Sequence, residues 1–179
     1  HDFQGRDVQL EFGALPGIYA EIPEAGLVWN APAVSAHVNA RRVADFLHSV
    51  FQRNSIDGAG GKIVSSVNCM RASDGAPAGE WRNAAWNGRQ MVYGQRMVGG
   101  QLRSYACSVE MVAHELFHGV NARTANLIYA NQSGELSESY SDTFGVAVAN
   151  WPQPDLGRWE WRIGYEMRAD GSAIRSFSA

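Results

Sequence analysis

Cysteine is scarce in this chain of 179 residues: only Cys69 and Cys107 occur. Two thiols cannot by themselves build a four-ligand structural zinc finger, and neither lies in a Cys-x-x-Cys redox pair. One disulfide or two buried thiols remain. The disulfide is the favoured expectation, since both sit in strand-like or extended segments ahead of the histidine-rich helix described below. Long apolar stretches are missing too: no run of eighteen apolar residues occurs, so no membrane-spanning helix is expected. Nor does either sign of charge dominate. Fifteen basic and eighteen acidic residues interleave to a net charge of −3, leaving no basic stripe for nucleic acid and no polybasic tail for an anionic membrane. Internal repeats and low-complexity tracts are absent. The first residue is His1 rather than methionine, from which removal of a signal or pro-segment, and hence export to the extracellular space, is the expectation.

What is present fits one ordinary globular domain or two small lobes. Residues 1–31 are rich in Gly, Pro and short apolar pairs such as "LVW" and read as a β-rich lead-in. In "APAVSAHVNARRVADFLHSVFQR", Val34, Val38, Val43, Phe46, Leu47, Val50 and Phe51 recur at three and four spacing, the stripe of an amphipathic helix. Ser35 is a candidate cap, and Asn54 and Gly58 mark its end. "KIVSSVNC" and "RQMVYGQ" read as strands, separated by the turn-rich "RASDGAPAGEWRNAAWNG". Helical patterns return over 108–123 and again over 134–150. His37 and His48, on the first helix, have no acid cluster beside them and read as hydrogen-bonded or surface residues. His1 takes no role.

The segment "MVAHELFHGVNARTANLIYANQSGELSESYSDTFG" differs in kind. His114 and His118 are i and i+4, so on a helix both rings leave one face, close enough to share a metal ion. Glu115 lies between them, beside the metal position but off its axis. A catalytic zinc needs a third protein ligand and an open fourth position. Glu138 can supply the ligand, because the glycine- and asparagine-broken stretch between allows the chain to turn and start a second helix against the first. Asp142, i+4 from Glu138, shares its inward face and can accept the free ring N–H of a ligating histidine. An amphipathic helix with two satisfied histidines leaves these acids unexplained, embedded as they are among Leu136, Tyr140, Phe144 and Val146.

The blocks "VAHELFHGV", "LIYANQSGELSESYSDTFG", "NAAWNGRQMVYG" and "AIRSFS" resemble, in order and spacing, those of the thermolysin family of zinc metalloendopeptidases, over about 31–179. The resemblance implies one catalytic zinc on His114, His118 and Glu138, with Glu115 as general base. It implies Asp142 behind a zinc histidine, Tyr129 as donor to the transition-state oxyanion, and Asn83 and Ala84 as edge-strand contacts to the substrate backbone. Arg175 falls where the family binds the carbonyl just after the scissile bond. Met111 and Ile174 fall where it lines the pocket for a bulky apolar residue following that bond, with Met111 altering the lining.

Three departures accompany the resemblance. Ser137 stands where the family usually has Asn before the zinc glutamate, which rearranges one hydrogen bond behind the site. Glu110 remains of the family's paired calcium site, but Ala149, Arg162 and Tyr165 replace carboxylates, so that pair is not expected, since Ca²⁺ takes six or more oxygens; calcium elsewhere stays open. Last, the family continues into a mostly helical lobe carrying a further histidine donor, whereas this sequence stops at Ala179. Nicking in a surface loop, with that lobe as a separate fragment of the same protein, is the expectation.

The expected architecture is therefore α+β: a thermolysin-like N-terminal lobe with a twisted antiparallel sheet and one early helix over 1–107, then a zinc-binding helical segment over 108–179. The expected function is zinc-dependent cleavage of internal peptide bonds before bulky apolar residues. Its partners would be a peptide or protein substrate and that C-terminal fragment, with no nucleic acid and no membrane. The competing reading is an inactive zinc-binding half-domain that serves as a binding module. A hydrolase of other substrates is disfavoured, because the Asn83 block resembles a peptide-binding edge strand.

Overall fold

The computed structural model describes residues 10–12, 30–70 and 79–177, so most of the expected lead-in lies outside the described residues. Of that lead-in, Leu10–Phe12 forms β1. The fold is α+β, with three long helices set against one main sheet.

Helix α1 spans Ala31–Phe51 and starts earlier than Ser35 would place it. Asn30 is the cap: its side chain accepts from Ala33 N at 3.4 Å, and Pro32 presets the helical φ in the first turn. Gln52, in the left-handed region, ends the helix before Asn54. The buried face also differs from the expected stripe. Ala33, Ala36, Ala40 and Ala44 are buried with Val43, Phe46 and Leu47, whereas Val34, Val38, Val50 and Phe51 are exposed. A spacing argument weighted towards large side chains passes over alanines, yet small residues let a helix approach its neighbours closely.

Strand β4 (Met91–Val98) is the hub of the main sheet. It pairs antiparallel with β3 (Trp81–Trp86) and with β5 (Gln101–Ser104). At its start it runs parallel to β2 (Ser65–Val67), which in turn pairs parallel with β1. The expected antiparallel pairing thus holds for β3, β4 and β5, and two parallel neighbours complete the sheet. Val98 faces Gln101 across a Gly99–Gly100 turn, both glycines at positive φ, as a two-residue hairpin requires. Read from composition alone, residues 81–86 belong to the turn-rich separator. They form β3 instead, an edge strand whose exposed Arg82 and Asn83 give it no apolar alternation.

Helix α2 (Val109–Ala122) lies at the centre, touching α1, α3 and β3. Val112, Leu116 and Val120 turn into the core with Leu47, Met91 and Tyr93. Helix α3 (Asn131–Asn150) crosses α2 and begins three residues ahead of the expected start, with Gly134 already inside it. Phe117 of α2 stacks on Phe144 of α3 with centroids 3.7 Å apart, and Phe46 of α1 meets the same ring edge-on at 6.0 Å. Leu136 and Tyr140 do not join this packing; both are exposed on the outer side of α3. A small hairpin, β6 (Arg162–Ile163) with β7 (Arg175–Ser176), carries the chain back towards α2.

The favoured disulfide is not formed. Both cysteines are free: Cys69 Sγ lies 3.5 Å from the Ser66 carbonyl, and Cys107 Sγ lies 3.6 Å from Met167 Sδ. Residue spacing carries no information on whether two such sites meet in space. His37 and His48 remain on α1, the first half-buried and the second exposed.

Candidate metal centre

Helical geometry puts His114 and His118 one turn apart on α2, their Nε2 atoms 3.2 Å from each other. From α3, Glu138 Oε2 comes within 3.3 Å of His114 Nε2, and Glu138 Oε1 within 3.3 Å of His118 Nε2. Ligands about 2.0–2.1 Å from a tetrahedral ion stand about 3.3–3.4 Å from one another. Three donors at that spacing, two imidazoles and a carboxylate, fit a zinc-type site. Glu115 belongs to the same cluster, whose ligand atoms on His114, Glu115 and His118 lie within 4.8 Å. It is nevertheless the poorer ligand: Oε1 is 4.0 Å from His114 Nε2, and Oε2 accepts from Trp86 N at 3.0 Å. Glu138 is therefore better placed than Glu115 to be the third donor, and Glu115 stands beside the site, tethered to the end of β3.

Each histidine has a distinct support behind it. Asp142 Oδ1 lies 2.7 Å from His114 Nδ1 and 2.7 Å from Arg175 Nη2, close ion-pair contacts that place a negative charge behind the ring. His118 Nδ1 instead meets two hydroxyls, Ser137 Oγ and Ser141 Oγ, each at 3.3 Å. Ser137 is fixed in turn by Asn121 Nδ2, which donates to its oxygen at 2.9 Å. Ser141, Asn121 and Trp86 were not singled out from the sequence. Ser141 was within reach of it, being i+4 from Ser137; Trp86 N was not, because a backbone donor leaves no residue signature.

Without metal the site is strongly polarised. Burial opposes charge on His114, but its contacts to Asp142 and Glu138 outweigh burial and raise the ring to about 9. The hydrogen bond with His114 draws Glu138 down to about 2. His118 is lowered, by burial and then by the charge on His114. Burial pushes Glu115 up, the direction a proton acceptor needs if it is to hold and return a proton near neutrality. The Tyr129 hydroxyl, on an otherwise exposed side chain, bonds to Glu138 Oε1. That bond holds Tyr129 protonated, pushed up to about 12.

These residues line one cleft of about 680 Å³. Asn83 and Ala84 of edge strand β3, Met111, Ile174, Arg175 and Tyr129 all open onto it with His114, Glu115, His118 and Glu138. Asp142 does not line it and stands behind His114. Around the residues of the family's calcium pair, Ser108 Oγ donates to Glu110 Oε2 at 2.6 Å. Arg162 bonds both oxygens of Glu160 at 2.8 and 2.6 Å and lies 5.0 Å over the Tyr165 ring.

Two α-helices presenting a histidine pair and a glutamate beside an open sheet edge define a metallopeptidase-like site. The family models agree: residues 19–122 match "Thermolysin metallopeptidase, catalytic domain" and residues 125–179 match "Thermolysin metallopeptidase, alpha-helical domain". The chain belongs to the thermolysin metallopeptidase family. The two matches meet between α2 and α3, so His114 and His118 fall in the first and Glu138 in the second. The Neutral protease NprE of Bacillus pumilus is 42% identical over 146 residues, covering 82% of this chain and 43% of that protein. The Extracellular metalloprotease of Pectobacterium carotovorum subsp. carotovorum is 39% identical over 141 residues, covering 75% and 37%. A solved structure, the precursor of protealysin, a metalloproteinase from Serratia proteamaculans, superposes with a TM-score of 0.76 at 31% identity, over 97% of this chain and 54% of that one. The chain thus spans less than half the length of these two protease relatives. Among the described residues, no helix is long and apolar enough to cross a membrane.

Proposed function

We propose that the protein is a zinc-dependent endopeptidase, exported from the cell, that hydrolyses internal peptide bonds preceding bulky apolar residues. The observation that supports this reading most is the convergence of His114, His118 and Glu138 at tetrahedral-edge spacing beside Glu115, at the free edge of β3. These three residues would hold a zinc ion, which would supply Lewis-acid chemistry towards the scissile carbonyl and a more acidic water at the site.

The chain's own groups account for the remaining steps. A substrate adds to β3 as an extended strand, and Asn83 and Ala84 set its register. Met111 and Ile174 receive the apolar side chain that follows the bond, and Arg175 meets the adjoining carbonyl. Trp86 N–H holds Glu115 Oε2, leaving Oε1 to take a proton from water and return it to the leaving amine. Tyr129 moves from Glu138 to the developing oxyanion, a contact that accelerates the reaction because it forms only in the transition state. The sheet-bearing part, 1–107, and the metal-bearing helical part, 108–179, form two walls of the cleft in this reading. A further lobe would complete it for efficient turnover.

The test is peptide cleavage that a chelator abolishes and zinc restores, together with Glu115→Gln. The expected variant binds zinc with unchanged stoichiometry and cleaves at least about 10²-fold more slowly, the scale of a lost acid–base group. Cleavage unaffected by Glu115→Gln sinks the mechanism. Zinc binding without cleavage favours the alternative of a zinc-binding module.

A further inference from the structure

The cleft is rich in arginine. Its metal end carries Glu115 and Glu138, with Arg175 Nη2 3.4 Å from His114 Nδ1, and its lining also includes Arg82, Arg96 and Arg168. Two of these guanidiniums are neutralised, Arg82 by Glu80 and Arg175 by Asp142. The other two are held more loosely, Arg96 under the charge of Glu80 and Arg168 under that of Asp170. Arg96 is hydrogen-bonded to the Tyr105 hydroxyl, and Arg168 reaches Ser172 Oγ at 3.4 Å. Among the described residues neither has a carboxylate within ion-pair distance. The sheet register brings them to one wall: Trp81, beside Arg82, pairs with Gln95, beside Arg96, and Arg96 lies opposite Arg103, whose Nη1 donates to the Glu166 carbonyl at 2.6 Å, two residues before Arg168.

The position of this wall along a bound peptide follows from β3. The strand runs from Arg82 to Trp86, whose N–H holds Glu115. At a strand rise of about 3.3 Å per residue, Arg82 lies about 13 Å from that tether. Gly164, at the start of the turn that ends at Arg168, lies against Ile174 and Met111, so in the endopeptidase reading the arginines face residues on the C-terminal side of the bond.

We propose that this cleft selects peptides carrying an acidic side chain one or two residues beyond the one seated at Met111 and Ile174, with Arg96 and Arg168 receiving its carboxylate. This rests on the endopeptidase reading for the position of the bond. A guanidinium presents a planar fork of donors matched to a carboxylate.

The test uses dye-labelled peptides identical except for Asp, Ala or Lys at the second position after a central leucine. Anisotropy with zinc-free protein reads binding, and mass spectrometry with zinc-loaded protein reads cleavage. Affinity is expected to fall in the order Asp, Ala, Lys. Asp should bind on the order of tenfold tighter than Lys, as two partly exposed ion pairs allow, and the gap should narrow at high salt. Arg96→Gln and Arg168→Gln should each shrink that ratio; Arg168 is exposed, so its replacement tests the proposal even where Arg96→Gln misfolds. Equal affinities for the three peptides, detectable or not, or a ratio unchanged in Arg168→Gln, overturn it. Hydrolysis of all three without preference overturns the acidic selectivity alone and leaves the endopeptidase reading standing. Preferential binding without any hydrolysis supports the arginine site and counts against the endopeptidase reading.

Discussion

Gly145 of α3 lies directly against the backbone of Glu110 in α2: a Cβ added to Gly145 would stand 2.7 Å from the Glu110 carbonyl oxygen. This contact sets how closely the two metal-bearing helices cross. It therefore sets the distance from Glu138 and Asp142 to the histidines.

Gly145→Ala decides between two opposed effects. Alanine gains about 1 kcal/mol of helix propensity over glycine, whereas overpacking a tight contact costs about 1–3 kcal/mol. The obstructing atom is a backbone carbonyl that cannot rotate aside, so the second effect wins. The expected result is a lower Tm together with weaker zinc binding, as α3 is displaced from α2. A variant with a raised Tm and unchanged zinc affinity would show that the crossing is looser than this.

Asp142→Asn keeps the size of the group behind His114 and removes its charge. Zinc affinity should fall about 10- to 100-fold, the usual effect of losing a carboxylate behind a ligating histidine. Competition titration against a chromophoric chelator measures it. Arg175 loses its ion-pair partner in the same variant, so Arg175→Gln is the control: if it weakens zinc binding equally, the effect belongs to the arginine and not to His114.

Zinc uptake should release protons, with a direction fixed by His114. In the metal-free fold its pKa is raised from 6.5 to about 9. The protonated ring contributes stability that is present in full below about 6.5 and is lost as pH rises through about 9. Metal competes with that proton, so zinc affinity should rise with pH across this window and level off above it. His118, already lowered, adds little to the release. Calorimetry near pH 7.5 in buffers of different ionisation enthalpy should report about one proton released per zinc. Zero release would mean that His114 is neutral before metal arrives.

The residues that the fold gathers at the candidate metal centre are legible because their signal is local: i, i+4 spacing on two helices names His114, His118, Glu138 and Asp142 before any tertiary contact is known. What the spacing missed depends on neighbours. The inward face of α1 is built on alanines that a stripe of large residues hides. Strand β3 carries Arg82 and Asn83 on an exposed edge, so neither alternation nor composition marks it, and only its resemblance to a family block did. The state of Cys69 and Cys107 depends on the path of the chain between them. The arginine-lined wall of the cleft is likewise invisible in sequence, where Arg82, Arg96 and Arg168 are scattered among other charges and are grouped only by strand register and the turn after β6.

The unequal supports behind the two histidines give a last prediction. His114 is backed by one carboxylate, whereas His118 is backed by two neutral hydroxyls at equal distance, Ser137 and Ser141. Either serine can orient the ring alone, so Ser141→Ala should weaken zinc binding by less than about threefold. Ser137→Ala should cost somewhat more, since it also strands Asn121 Nδ2 in a buried position. The double variant should lose about 10- to 100-fold, well beyond the product of the single effects, because residues sharing one partner couple rather than add. A zinc titration across this four-member cycle reads the coupling directly. Simple additivity would mean that His118 is oriented by its packing against the Tyr129 ring, 5.8 Å away, and not by the serines.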